Sequence, residues 1–169
     1  MGPNLEIEIV QASSEEELEG ARALFREYAE RLGVSLCFQG FEDELAGLPG
    51  KYAPPRGCLL LAKSQAGCVG CVALRPLEDG QCEMKRLYVR SFAQGRGIGR
   101  ELAVRCVEMA RSIGYHVLRL DTLRRLRPAL QLYASLGFVE IPAYCLNPLE
   151  DVVYLEKRFV PAKFDQDHS

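Results

Sequence analysis

The sequence predicts a single α/β domain with a mixed, largely antiparallel central sheet flanked by helices. Three observations carry that expectation. Short apolar runs with strand-like patterning crowd residues 58–89, with turn residues between them. Two longer stretches, Leu18 to Leu32 and Ile98 to Ile113, repeat apolar residues at helical spacing. Between "CEMKRLYV" and "YHVLRLDTL" the chain runs through one of those helices, and a helical crossover makes the two strands parallel neighbours. At 169 residues, 48% of them apolar and 26% charged, the chain is long enough for one core, taken as one domain over 1–169.

The elements follow in order. "LEIEIVQA" alternates and reads as a first strand. Ser13 or Ser14, with Glu16 or Glu17 three residues on, offers a capping box. Leu18, Ala21, Phe25, Tyr28 and Leu32 then form one helical face, and Gly33 is the stop. A short amphipathic piece, "FEDELAGL", precedes the loop "PGKYAPPRG". "CLLLAKS" and "CVGCVALR" flank "QAG" as a hairpin, and "PLEDGQ" turns the chain into "CEMKRLYV". After the Ile98 helix, closed by Gly114, come the strand "YHVLRLDTL" and a short helix, "PALQLYASLGF", with Pro128 in its first turn. "FVEIPAY" and "DVVYLEKRF" close the sheet as a hairpin, and 160–169 reads as a frayed polar tail.

Composition narrows the functional classes. No apolar run approaches the ~20 residues of a membrane span, and "MGPNLEIEIV" carries acids where a secretory signal needs bases. The seven cysteines are scattered, mostly within apolar runs. Cys68-x-x-Cys71 lies in an expected strand, where residues three apart face opposite ways, so the thiols are expected buried and reduced in a cytoplasmic chain. No metal site is expected, because a second Cys-x-x-Cys is missing and only His116 and His168 are present. The net charge of −2 conceals a basic block: residues 82–127 hold 11 basic and 4 acidic side chains. Nucleic acid is a weak explanation, since the arginines are spaced apart without interleaved aromatics; a small polyanion fits at least as well.

That block contains "AQGRGIGREL", residues 93–102. It matches neither GxxxxGK[ST] nor G-x-G-x-x-G. What stands there is a strand, then Gln94-x-x-Gly97-x-Gly99, then a helix. Successive backbone N–H groups can converge at such a junction, the helix N-terminus adds partial positive charge, and Arg96 and Arg100 add donors. The arrangement suits a pyrophosphate.

On these motifs, "EMKRLYV" followed by "QGRGIG" and later "LYASLGF", the chain resembles the GNAT (GCN5-related) N-acetyltransferase superfamily over roughly residues 5–158. The resemblance implies an acyltransferase that moves an acetyl group from acetyl-CoA, a cosubstrate, to a primary amine by direct attack. It implies a pyrophosphate loop of Gln94, Gly95, Arg96, Gly97, Ile98, Gly99 and Arg100. It also implies main-chain contacts from Leu87 and Val89 to the pantetheine and acetyl group. By the same resemblance Tyr133 protonates the departing thiolate and Glu83 takes the proton of the amine. Where many members carry Asn seven residues before that tyrosine, this chain has Leu126. Glu42, Asp43 and Glu44 stand where the family walls its acceptor site, and could attract a cationic amine. A homodimer is compatible with the sequence. The alternative kept open is a non-catalytic acyl-CoA-binding or regulatory module on the same fold.

Overall fold

The computed structural model describes residues 5–33 and 40–160; the readings on Cys37, His168 and the tail from residue 161 lie outside them. The chain runs β1 (Glu8–Gln11), α1 (Glu15–Leu32), α2 (Phe41–Ala46), β2 (Cys58–Ser64), β3 (Gly67–Pro76), β4 (Gln81–Val89), α3 (Ile98–Ile113), β5 (Val117–Leu123), α4 (Arg127–Ser135), β6 (Val139–Ile141) and β7 (Val152–Arg158). No helix among the described residues is long and apolar enough to cross a membrane.

Helix α1 begins where the sequence places it. Ser14 caps it: its Oγ accepts the Glu17 N–H at 3.1 Å, and Glu17 Oε1 accepts the Ser14 N–H at 3.1 Å. Those N–H groups of Ser14 and Ser13 hold the Glu17 carboxyl down at about 2. Gly33, at φ 66°, ends the helix in the left-handed conformation that glycine reaches without a Cβ clash.

One seven-stranded sheet has the order β1-β2-β3-β4-β5-β7-β6. Only β4 and β5 are parallel, and α3 supplies their crossover. The last two strands do pair antiparallel, but β7 lies inside, between β5 and β6. Both faces of the sheet are covered, which is why β2 reads "CLLLA" rather than alternating. Leu60 and Ala62 pack into the core that includes Leu102 and Cys106 of α3; Leu59 and Leu61 pack with Phe25 of α1 and Leu45 of α2.

The cysteines correct one expectation. A bulge at Val69, opposite the step from Ala62 to Lys63, inserts one extra residue into β3. It returns Cys68 to the same face as Cys71, and both pack on the α1 side. Cys58, Cys71, Cys82 and Cys106 are buried as expected, whereas Cys145 is exposed; all six described thiols are free.

Ser14→Ala should lower stability by about 1 kcal/mol, the usual effect of losing a side-chain N-cap. Urea denaturation checks this: the midpoint should fall while the slope stays unchanged.

Candidate active site

The site originates in a defect of the sheet. Strand β4 pairs with β5 only from Gln81–Glu83 to Val117–Arg119, after which the two diverge. On its other edge β4 carries a bulge: Cys71 faces Tyr88 but Ala73 faces Lys85, so Arg86 and Leu87 together oppose one residue of β3. Arg86 takes φ 62°, a left-handed conformation that an L-residue adopts only when its surroundings enforce it. Its side chain, 3% exposed, ion-pairs with Glu44 at 3.0 Å and lies over the rings of Phe41 and Tyr28.

The opening so made is a continuous cleft. Its middle is lined by Met84, Leu87, Leu120, Leu126, Ala129 and Tyr133. Toward the glycine loop it shares Tyr28, Leu32, Leu87, Leu126 and Ala129 with a hollow reaching Val89 and Gln94. Leu126, in the place of the expected family asparagine, is thus an apolar wall residue. Toward the other end the cleft shares Lys85 and Asp121 with a charged hollow bounded by Arg75, Glu83, Glu44 and Cys145.

The loop residues occupy one end together. Gly97 caps α3 at φ 79° with no side-chain bond to the helix, and Gly95 stands at φ 78°. The first intrahelical bond runs from Glu101 N–H to the Gly97 carbonyl. The N–H groups of Ile98, Gly99 and Arg100 therefore point out of the helix end, where partial positive charge concentrates. The Ile98 side chain is buried, so only its backbone faces the loop. Gln94 straps the loop to β4 by donating Nε2–H to the Val89 carbonyl at 2.9 Å. The Arg90 N–H bonds to the Val69 carbonyl of β3 at 2.8 Å, so alternation turns the Val89 N–H to the other edge of β4, the cleft side. Arg96 is exposed, and Arg100 donates to Ser135 Oγ at 2.8 Å, tying α3 to α4.

Tyr133 sits at the middle of the cleft, 6% exposed, edge-to-face with Phe138. Among the described residues no hydrogen bond reaches its hydroxyl. Burial pushes its phenol well above the ordinary tyrosine range, and the nearby Tyr28 adds to the shift. The hydroxyl stays protonated and is available to an acceptor in the cleft.

Glu83 is more enclosed than a strand-end carboxylate would be. It is 1% exposed; Arg75 Nε–H donates to it at 2.8 Å, Tyr144 O–H at 2.5 Å, and the Lys85 ammonium stands at 3.7 Å. Burial alone would raise its pKa, but Lys85, Arg75 and the Tyr144 bond outweigh it and the net shift is downward. Among the acids of α2, Glu44 is committed to Arg86 and to the Tyr52 hydroxyl at 2.7 Å, while Glu42 and Asp43 are exposed. Sequence reasoning did not single out Lys85, Asp121 or Tyr144, because nothing in one strand shows which neighbours the sheet will supply.

The family model for the acetyltransferase (GNAT) family matches residues 15–138, most of the chain. The chain belongs to that family. Like its relatives, this GNAT chain is an acyltransferase. It is 41% identical over 142 residues to an uncharacterised N-acetyltransferase of Schizosaccharomyces pombe, covering 83% of this chain and 87% of the relative. A GNAT-family acetyltransferase of Staphylococcus aureus superposes with a TM-score of 0.75 at 18% identity, covering 90% of this chain and 99% of the other. A Salmonella typhimurium protein described as a putative acetyltransferase, solved with its cofactor acetyl-CoA, superposes with a TM-score of 0.68 at 18% identity over 96% and 99%.

Replacing Glu83 by Gln should destabilise the GNAT domain by about 3 kcal/mol at pH 7, because Arg75 and Lys85 lose their shared counter-charge. The native carboxyl titrates below its ordinary value of 4.5. Its contribution is therefore complete above that value and is lost as pH falls through the native pKa. Urea denaturation at stepped pH should show wild type and variant converging in acid.

Proposed function

We propose that this GNAT chain transfers acetyl from acetyl-CoA to a primary amine by direct attack within a ternary complex. The observation that carries the reading is the cleft itself. It runs from the uncapped start of α3, past the unbonded Tyr133 hydroxyl, to a charged hollow open at the far side. Two reactants entering from opposite ends would meet beside Tyr133. A structural neighbour carries acetyl-CoA as its cofactor, which fits the same assignment.

In this reading the diphosphate of acetyl-CoA lies against the N–H groups from Gly97 to Arg100, with Arg96 beside it. The pantetheine follows the main chain of β4 at Leu87 and Val89. A neutral amine attacks the thioester carbon and the C–N bond forms. The Val89 N–H faces the oxyanion, where a fixed dipole is most effective because it need not reorganise. Collapse breaks the C–S bond, Tyr133 gives its proton to the thiolate, and the proton that the nitrogen loses returns through water to the Tyr133 oxygen.

Glu83 has a changed part in this scheme. The sequence casts it as the base, but a carboxylate already shared among Arg75, Lys85 and Tyr144, with a depressed pKa, is a weak proton acceptor. Its position supports a positioning role, holding those three side chains at the acceptor end.

Three outcomes test the proposal. Gly97→Glu should weaken CoA binding by roughly tenfold or more in calorimetry, since a carboxylate would enter the anion cradle. Tyr133→Phe should remain folded and bind acetyl-CoA within a few-fold, while kcat drops by roughly 10²–10⁴. More than about a third of wild-type kcat, with chemistry limiting, would make Tyr133 a packing residue. Glu83→Gln, where folded, should lose rate without recovery at high pH; recovery as the amine deprotonates unaided would restore it as the base.

A further inference from the structure

We propose that the acceptor is a zwitterionic α-amino acid, its carboxylate taken by Lys85 and its ammonium by Asp121. The inference rests on the acetyl-transfer reading above and names the chemical class of the second substrate.

It comes from the charge pairing at the acceptor end. The ionised groups there are Arg75, Glu83, Glu44, Lys85 and Asp121. Three are already matched. Glu44 is held by Arg86 at 3.0 Å and by Tyr52, and Glu83 and Arg75 hold each other at 2.8 Å.

Lys85 is matched only by charge, without a hydrogen bond. Its side chain is 9% exposed and borders both the middle cleft and the charged hollow. The one carboxylate near it, Glu83, lies at 3.7 Å, beyond hydrogen-bond reach and already occupied by Arg75 and Tyr144. An ammonium so withdrawn from water calls for an anionic partner with hydrogen-bond geometry, and the described residues do not provide one.

Asp121 is the converse. It borders the same two spaces from β5. Its Oδ2 accepts from Asn147 Nδ2 at 3.1 Å, and among the described residues no cation lies within ion-pairing distance.

One cation without a hydrogen-bonded counter-ion and, among the described residues, one carboxylate without an ion pair thus flank the point where the acceptor would meet the thioester. A polyamine would satisfy Asp121 but bring a further cation toward Lys85. A peptide N-terminus offers an ammonium without an adjacent carboxylate. An α-amino acid answers both charges with two groups on one carbon. Asp121, beside Tyr133, would steer the nitrogen toward the thioester.

The test follows thiol release from acetyl-CoA by the full chain. The acceptors are the common α-amino acids, each beside its carboxamide and its decarboxylated amine, with spermidine and a short peptide as further arms. At least one amino acid should exceed its own carboxamide and decarboxylated amine by roughly tenfold or more in kcat/KM, the scale of a charge-assisted hydrogen bond. This comparison uses wild-type protein and does not depend on any variant folding. Lys85→Gln should abolish the preference by raising KM for the amino acid, with KM for acetyl-CoA unchanged. Asp121→Asn should raise KM for acid and carboxamide alike. Equal use of acids and carboxamides, turnover of spermidine or peptide alone, or a Lys85→Gln loss shared by every acceptor would overturn the inference. Calorimetric binding of acetyl-CoA with no amino acid acetylated would overturn it too, leaving the acetyl-transfer reading in place. Absence of acetyl-CoA binding would overturn both.

Discussion

The cleft that forms the candidate site depends on holding Arg86 in a conformation that an L-residue disfavours. The left-handed turn at φ 62° makes β4 bulge, and beyond Glu83 the strand no longer pairs with β5. Without that divergence the seven strands would form a continuous ladder and leave no space beside Tyr133. The strain, of order 1–3 kcal/mol, is borne by what the guanidinium does once it is turned inward. It pairs with Glu44 at 3.0 Å and lies over two aromatic rings. Buried ion pairs add little net stability, yet removing one partner strands the other, so the pair fixes geometry more than it adds strength. Helix α2 is tied into the same arrangement through Glu44, which links the acceptor-side wall to the bulge.

The two ends of the cleft handle charge by different means. At the glycine loop the positive potential comes from backbone: unclaimed N–H groups at the start of α3, exposed to water until an anion displaces it. At the far end it comes from side chains whose charges are nearly all matched within the protein. Backbone dipoles favour any phosphate of the right shape, whereas side chains whose charges are largely matched can select by pattern. In the proposed reaction, recognition of the cosubstrate and of the acceptor would thus have separate physical origins in a single groove.

Most of the architecture was legible because local signals agreed with one another. Ser13 or Ser14 with Glu16 or Glu17 announced the start of α1, "CLLLAKS" and "CVGCVALR" around "QAG" announced a hairpin, and the glycines before Ile98 announced a helix start where N–H groups converge. The features that make the site were not legible, for one common reason: they arise from register. "EMKRLYV" reads as an uninterrupted strand, and nothing in it marks Arg86 as the residue that turns. The Val69 bulge put Cys68 and Cys71 on one face, against the simple alternation argument. Glu83 appeared to be a strand-end carboxylate because Arg75 and Tyr144, which enclose it, lie eight residues before and 61 residues after it. Asp121 gave no sign of facing a cleft, since the opening belongs to β4 and β5 together.

The position of β7 bears on how this protein emerges from the ribosome. Strands β1 to β4 can assemble as soon as they are synthesised, since each pairs with its neighbour in the chain. β5 has no such prospect on its outer side: its partner there is Val152–Arg158, which arrives only after α4 and β6 have been made. For that interval the nascent sheet presents an open edge, the feature most prone to pairing with a foreign strand. Arg119 and Asp121 lie on that strand, and charged side chains discourage such pairing. When β7 inserts, Glu156 meets Arg119 at 2.9 Å. One charge that guards the growing chain is thereby neutralised by the strand that completes it, while Asp121 keeps its charge facing the cleft.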